Sequence, residues 1–222
     1  MTILAIDTAT KTIGIGLVRA EEILYEKTWR SDNFHTVELA PAIKNAFKEA
    51  SIRKGAIRTI AIANGPGSYT GLRIGLAFAK GFAFKQSLKI APIPTLDILA
   101  AGHPLEERQL IAIIQAGRGR LNAAHYEAKK DMWQLTKSPY ITTLDDLYSS
   151  INTPALLCGE LSVAERKRLQ RKHKMVHISA PALGVRRPAI LGQLALNSTS
   201  DSSSRGLTPE YLKTQADLAL QS

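Results

Sequence analysis

The chain has 222 residues, 45% of them apolar, and a formal net charge of +10. That length holds one large domain or two lobes of about 100 residues, and no apolar run approaches the ~20 residues a helix needs to cross a bilayer. The single cysteine, Cys158, excludes an internal disulfide and fits a reducing compartment.

Met1-Thr2-Ile3-Leu4 runs straight into a strand pattern with no signal-peptide pattern before it, so an intact N-terminus and a cytoplasmic location are expected. Ile3–Asp7, Thr12–Arg19 and Ile23–Thr28 read as three strands. A period of two puts Gly14, Gly16 and Val18 on one face and Ile13, Ile15 and Leu17 on the other. Short polar turns at 8–11 and 20–22 make the three strands an antiparallel meander. A helix is predicted from about Thr36 to Ser51, with Val37, Ala40, Ile43, Ala46, Phe47 and Ala50 at helical spacing. Strand Thr59–Ala63, a glycine-rich loop, helix Leu72–Gln86, strand Lys89–Ile93 and helix Thr95–His103 follow.

The second half repeats this order. Leu110–Gln115, Leu121–Lys129 and Met132–Thr136 are predicted strands, followed by helix Thr143–Ser150, strand Ala155–Cys158, helix Ser162–Arg171, strand Met175–Ile178 and helix Val185–Leu196. Two copies of β-β-β-α-β-α-β-α predict an α/β fold of two lobes, the duplicated actin-like (ASKHA) arrangement with a ribonuclease-H-like core in each lobe. The first lobe is expected over 1–105 and the second over 106–198. A serine-rich linker and tail take 199–222, and Pro209–Lys213 carries an anchor-like Tyr-Leu pair.

Gly65-Pro66-Gly67-Ser68-Tyr69-Thr70-Gly71-Leu72-Arg73-Ile74-Gly75 lies between a strand and a helix. No Lys-Ser/Thr pair follows its last glycine, so it is not a P-loop. The spacing G-x-G-x-x-x-G is one residue too long for a dinucleotide fingerprint. Such a loop lets backbone N–H groups approach an anion or a second backbone. Asp7 ends the first strand and precedes Thr8 and Thr10; it either caps the hairpin as an Asx-turn or holds a metal or a water. The matching place in the second copy is Gln115, which is neither a general base nor a hard metal ligand. Asp7, Thr8, Gly65, Gly67 and Ser68 are therefore the candidates for touching a nucleotide.

Catalytic groups are not assigned. The histidines are 35, 103, 125, 173 and 177. His173 and His177 have i, i+4 spacing, but on a loop and a strand, where four residues span about 13 Å. There is no HExxH and no G-x-S-x-G, so neither a metal site nor a serine nucleophile is expected. Cys158, in the apolar strand Ala155–Gly159, reads as a buried inert thiol.

Two surfaces stand out. Helix Leu72–Gln86 carries Gly75, Ala77, Ala79, Gly81 and Ala83. Glycine inside a helix costs roughly 1 kcal/mol against alanine, so Gly75 and Gly81 serve either the lobe's own sheet or a closely packed partner. Arg166, Lys167, Arg168, Arg171 and Lys172 form a basic run that is either a solvated face or a phosphate-binding patch. No aromatic residue interleaves with it, which argues against base stacking.

The opening Ile3-Leu4-Ala5-Ile6-Asp7-Thr8-Ala9-Thr10, His35-Thr36 before Leu39-Ala40-Pro41-Ala42-Ile43, the Gly65–Gly75 loop and Pro209-x-Tyr211-Leu212-Lys213 resemble the bacterial TsaB (YeaZ) family. The resemblance spans the chain, with its strong motifs in the first 100 residues. It implies an actin-like fold and a non-catalytic scaffold subunit, an inactive paralogue of the catalytic subunit TsaD. That subunit serves threonylcarbamoyladenosine modification of adenosine 37 in tRNAs reading codons that start with A. It binds and stabilises TsaD and helps recruit the ATPase TsaE. The resemblance also implies a helical bundle with TsaD built from Thr36–Ser51 and Leu72–Gln86. The interface candidates are then His35, Thr36, Leu39, Ile43, Leu72, Arg73, Gly75, Ala77 and Gly81. No cofactor is expected on the chain alone; ATP or ADP belongs to the complex, and tRNA is reached through it, with Arg166, Lys167, Arg168, Arg171 and Lys172 as candidate contacts. Without TsaD the same helical face would support a homodimer. The alternative is an enzyme of the same superfamily, a glycoprotease-like metallopeptidase or a nucleotide-using enzyme; a third reading is a free-standing nucleic-acid-binding protein. The sequence departs from the family where an Asp-Ala-Arg-x-Gly-Glu-Val-Tyr-like stretch reads Gln115-Ala116-Gly117-Arg118-Gly119-Arg120-Leu121-Asn122, and where Tyr-Leu-Arg reads Tyr211-Leu212-Lys213.

Overall fold

The computed structural model describes residues 1–32, 35–84, 88–172, 175–198 and 206–212. The chain forms two compact units, Met1–Ile98 with Arg187–Glu210, and Leu99–Arg186 with Tyr211–Ser222.

The first unit is built on a sheet of order β3-β2-β1-β4-β5. Its strands are β1 (Thr2–Asp7), β2 (Thr12–Arg19), β3 (Glu22–Arg30), β4 (Ile57–Gly65) and β5 (Lys89–Pro94). β1 pairs antiparallel with β2 and parallel with β4. Both faces of the sheet are covered, which is why β1 is an unbroken apolar run rather than an alternating one. On one face Leu4, Ile6, Ile15, Leu17, Ile60 and Ile62 meet Leu39, Ile43 and Phe47 of α1 (His35–Glu49) and Leu76 and Ala79 of α2 (Tyr69–Phe84). On the other, Ile3, Ala5, Ala61 and Ala63 meet Leu191 and Ala195. The two expected faces of β2 are real, and Gly14 and Gly16 are where a helix lands. A Cβ on Gly14 would overlap the Pro188 ring, and one on Gly16 would stand 3.1 Å from the Pro188 carbonyl carbon.

That landing corrects the expected lobe boundaries. Residues 181–184 form a 3₁₀ turn, and the last long helix among the described residues is Pro188–Asn197, with Pro188 in its first turn and Arg187 as its N-cap. It packs on β1 and β2 of the first unit instead of completing the second. Its apolar side chains cover a face whose glycines leave room for them. The Arg187 guanidinium pairs with Glu26, whose other carboxylate oxygen accepts from Ala189 N at 2.9 Å. Farther on, Leu207 is buried in the α1/α2 side of the core and Glu210 N donates to Asn64 O at 2.8 Å. The tail is thus held by Leu207 and the Glu210 backbone. Tyr211, read as its anchor, is 39% exposed. Lys213 and most of the serine-rich stretch lie outside the described residues.

The second unit has sheet order β10-β9-β6-β7-β8. Read from β8, this is the same order as the first sheet. Its strands are β6 (Gln109–Gly117), β7 (Arg120–Lys129), β8 (Met132–Thr143), β9 (Ala155–Gly159) and β10 (Val176–Ile178). The short helix α3 (Thr95–Ala101) precedes them. The fold is a duplicated α/β arrangement, as the repeated element order predicts. β8 runs well beyond the expected Thr136, continuing through Pro139 because an edge strand can do without that N–H. α4 (Leu144–Ser150) is capped by Thr143, whose side chain accepts from Asp146 N. α5 (Val163–Lys172) opens on a capping box in which Ser162 N donates to Glu165 at 2.6 Å and Glu165 N to Ser162 Oγ at 3.2 Å. Leu144, Leu147 and Leu169 pack onto Ile111, Ile113, Ala123 and Leu157. No helix among the described residues is long and apolar enough to cross a membrane.

Candidate functional site

The glycine loop is shorter than its sequence suggests. α2 begins at Tyr69, three residues before the expected Leu72. Ser68 is its N-cap: Gly71 N donates to Ser68 Oγ at 3.2 Å and Leu72 N to Ser68 O at 2.9 Å. Gly65 N donates to Thr95 Oγ1 at 3.1 Å, and Ser68 N to Ala9 O at 2.6 Å. The Thr8 hydroxyl, fully buried, donates to Gly71 O at 2.8 Å. A Cβ on Gly67 would stand 2.5 Å from Ala9 O, and one on Gly71 would overlap Thr8 O; at Gly65 it would overlap Glu210 O. Of the two partners the loop could approach, an anion or a backbone, the one it meets here is the chain's own backbone: the turn after β1 and the returning tail.

Asp7, Thr8, Gly65, Gly67 and Ser68 are therefore brought together as a lock between two turns. Asp7 is buried, and its Oδ1 accepts from Ala9 N at 2.9 Å, the Asx-turn reading. Thr8 is spent on Gly71, and only Ser68 of the five is exposed.

The interface candidates divide by helical register. Leu39, Ile43 and Leu72 are at most 2% exposed, and Gly75 is buried with its Cβ position overlapping Thr8 Oγ1. These four pack the unit's own core and present no surface to a partner, a correction to their reading as contacts. Ala79 and Ala83 are buried as well. Thr36, Arg73, Ala77 and Gly81 point outward, and nothing lies within 4 Å of a Cβ placed on Gly81. The side chain of His35 lies outside the described residues.

The outward face carries more than was read from the sequence. Val37 is 64% exposed, Tyr69 54% and Phe84 90%. The Arg73 guanidinium lies over the Tyr69 ring, 3.9 Å from its centroid. Tyr69, Arg73, Ala77, Gly81 and Phe84 recur at three- or four-residue steps, so a helical wheel begun at Tyr69 finds them; one begun at Leu72 starts on the buried side. Phe47, Phe78 and Phe82 stack beneath, with centroids 6.1 and 5.9 Å apart.

In the second unit Gln115 is exposed and its amide donates to Glu160 O at 2.9 Å, tying β6 to the chain after β9. The basic run is only partly available. Arg166 donates to Ser179 O at 2.8 Å and Arg168 pairs with Asp145, because a helix turns part of any continuous run toward its neighbours. Lys167 is exposed; the side chains of Arg171 and Lys172, and all of His173 and Lys174, lie outside the described residues. His103 is buried against Leu99 O at 2.9 Å, and His125 bridges Gln109 and the Tyr140 hydroxyl at 3.0 and 2.8 Å. Burial, and then the charge of Lys137, hold the His125 pKa below the ordinary histidine value. Cys158 is buried and burial pushes its thiol pKa up. Among the described residues no three His, Cys, Asp or Glu side chains gather to hold a metal.

The family model described as TsaD, tRNA N6-adenosine threonylcarbamoyltransferase, matches residues 30–149, from the end of β3 to the end of α4. The tRNA threonylcarbamoyladenosine biosynthesis protein TsaB of Bacillus subtilis (strain 168) is 28% identical over 96% of this chain and 94% of its own length. The protein of that name from Escherichia coli (strain K12) is 31% identical over 57% of this chain and 55% of its own. YeaZ from Pseudomonas aeruginosa has the same fold, with a TM-score of 0.76 over 95% of this chain and 99% of that one at 21% identity. The chain belongs to the TsaD family and, within it, to the TsaB (YeaZ) group.

Proposed function

We propose that this chain is a non-catalytic subunit of the machinery that makes threonylcarbamoyladenosine in tRNA, and that it works by holding a TsaD-type catalytic subunit against the outer faces of α1 and α2. The observation that carries this reading is the face itself. Val37, Tyr69 and Phe84 stand out from two adjacent helices, with the small residues Ala77 and Gly81 between them. Exposed large apolar groups around a small-residue strip fit a closely packed helix. Family membership supplies the partner's identity. A buried Asp7 engaged in an Asx-turn and a neutral Gln115 at the matching place support a scaffold over an enzyme. On this reading TsaE joins the assembled pair, ATP or ADP binds in that assembly, and the same face pairs two copies when TsaD is absent.

The test is co-purification of the full chain with TsaD from the same organism. Ala77→Trp should abolish association, because an inserted ring forces packed helices apart, while leaving the melting temperature within a few degrees, since Ala77 is exposed. Unchanged association would remove this face from the interface. The isolated chain should hydrolyse neither peptides nor ATP; turnover that depends on Asp7 would overturn the scaffold reading.

A further inference from the structure

Most of the chain's charge is not in the basic run of the second unit. Between Lys44 and Lys89 there are nine lysines and arginines and one acidic residue, Glu49, so this stretch carries +8 of the net +10. The fold gathers much of it at one end of the first unit. Thr2 pairs with both Arg19 and Ile57, and Thr59 pairs with Lys89, so Arg19, Arg58 and Lys89 share one edge of the sheet. The 3₁₀ turn Lys54–Ala56 leads into β4 there, with Arg53 as its N-cap, and Lys48 sits in the last turn of α1 just before it. All six side chains are exposed. Arg58 donates to Gly55 O at 2.6 Å, which holds its guanidinium beside the turn. No ion pair among the described residues neutralises Lys48, Arg53, Lys54 or Arg58. The acidic groups at this end are Glu49 and, in and beside the hairpin turn that follows Arg19, Glu21 and Glu22.

We infer that this end of the first unit, centred on Arg53, Lys54 and Arg58, is a binding surface for the phosphate backbone of RNA. The charges are carried on strand ends and a tight turn, which fixes the spacing of their backbone positions. Among the apolar residues at this end Ile57 and Leu88 are buried and Ile52 is half-buried, which leaves Met1 as the exposed one; one such side chain is far short of the apolar face that holds a protein in a lipid boundary. Residues 48–58 include no aromatic, which fits contacts to sugar and phosphate along a paired arm rather than to stacked bases. That the polyanion is RNA rests on the proposed function; the surface itself does not.

The experiment measures binding of a labelled tRNA transcript to the full chain, alone and with its TsaD-type partner, between about 50 and 200 mM salt. Arg53→Gln, Lys54→Gln and Arg58→Gln together should weaken binding about tenfold or more at low salt. They should also make the plot of log affinity against log salt shallower by about 2 to 3, near one for each lost phosphate contact. The matching Arg166→Gln, Lys167→Gln, Arg168→Gln variant should change both far less. Melting curves and co-purification with TsaD should be unchanged in the first variant. A wild-type chain that binds no transcript in either form overturns the inference. So does an unchanged salt slope in the first variant, a loss confined to the second variant, or a defect seen only with anionic phosphatidylserine vesicles. Because Ala77→Trp tests the helical face separately, a failure there leaves this result readable on its own.

Discussion

Gly75 and Gly81 lie six residues apart on one helix, about one and two-thirds turns, so they face different sides and have opposite jobs. A methyl on Gly75 would overlap Thr8 Oγ1 and stand 3.1 Å from Ile62 Cδ1, and Thr8 has no freedom to retreat because its hydroxyl donates to Gly71 O. Gly75→Ala should therefore lower stability by about 1–3 kcal/mol, overpacking outweighing the gain in helix propensity. Gly81→Ala meets open space and should raise stability by about 0.5–1 kcal/mol. Urea unfolding of both variants checks the pair. The sequence could not separate them, since each is a glycine in an apolar helix; what separates them is which side faces the sheet. His125 gives a pH test at the same scale. Its folded pKa lies below the unfolded value, so the unfolded chain takes up a proton first as pH falls. The stability His125 contributes is present above about pH 6.5 and is lost as pH falls from there through its folded pKa. His125→Gln should flatten that part of the melting-temperature profile.

Elements were legible where the pattern was periodic. The meander of β1, β2 and β3 follows from alternation, and of the expected α1 stripe Ile43, Ala46 and Phe47 face inward, Ala50 is half-buried, and Val37 and Ala40 are exposed. Boundaries failed where a side chain overrode a glycine signal. Gly71 looks like loop, yet Ser68 caps a helix that already contains it. The hairpins show a different gap. Gly117 pairs with Arg120, so Arg118-Gly119 is a two-residue turn with φ of 54° and 72°, a type I′ geometry that favours Asn-Gly. A left-handed non-glycine residue is strained by roughly 1–2 kcal/mol, less for asparagine. Arg118→Asn should raise stability by about 0.5–1 kcal/mol in thermal or urea unfolding and leave the hairpin register intact.

At the scale of the whole molecule, the repeat of element order revealed two units but misassigned their contents. The pattern shows that 188–197 is an apolar helix; it does not show which sheet has room for it. That depends on Gly14 and Gly16, more than 170 residues earlier, where two missing side chains admit Pro188. The candidate site was legible to the same depth: the right helices, without the distinction between the residues that fill the core and those that leave it. A fragment ending at residue 105 tests the boundary. It keeps all five strands of the first sheet and both α1 and α2, yet it lacks the helix over Ile3, Ala5, Ala61 and Ile93 and Leu207, which closes the other side. Uncovering a fully buried isoleucine costs roughly 1.5–3 kcal/mol, and a small domain has about 5–15 kcal/mol in all. The fragment should show no cooperative thermal transition and should bind a hydrophobic dye. Joining residues 187–210 to it through a flexible linker should restore a sharp transition. If the short fragment melts cooperatively by itself, the returning segment is an accessory to the first unit and not part of its core.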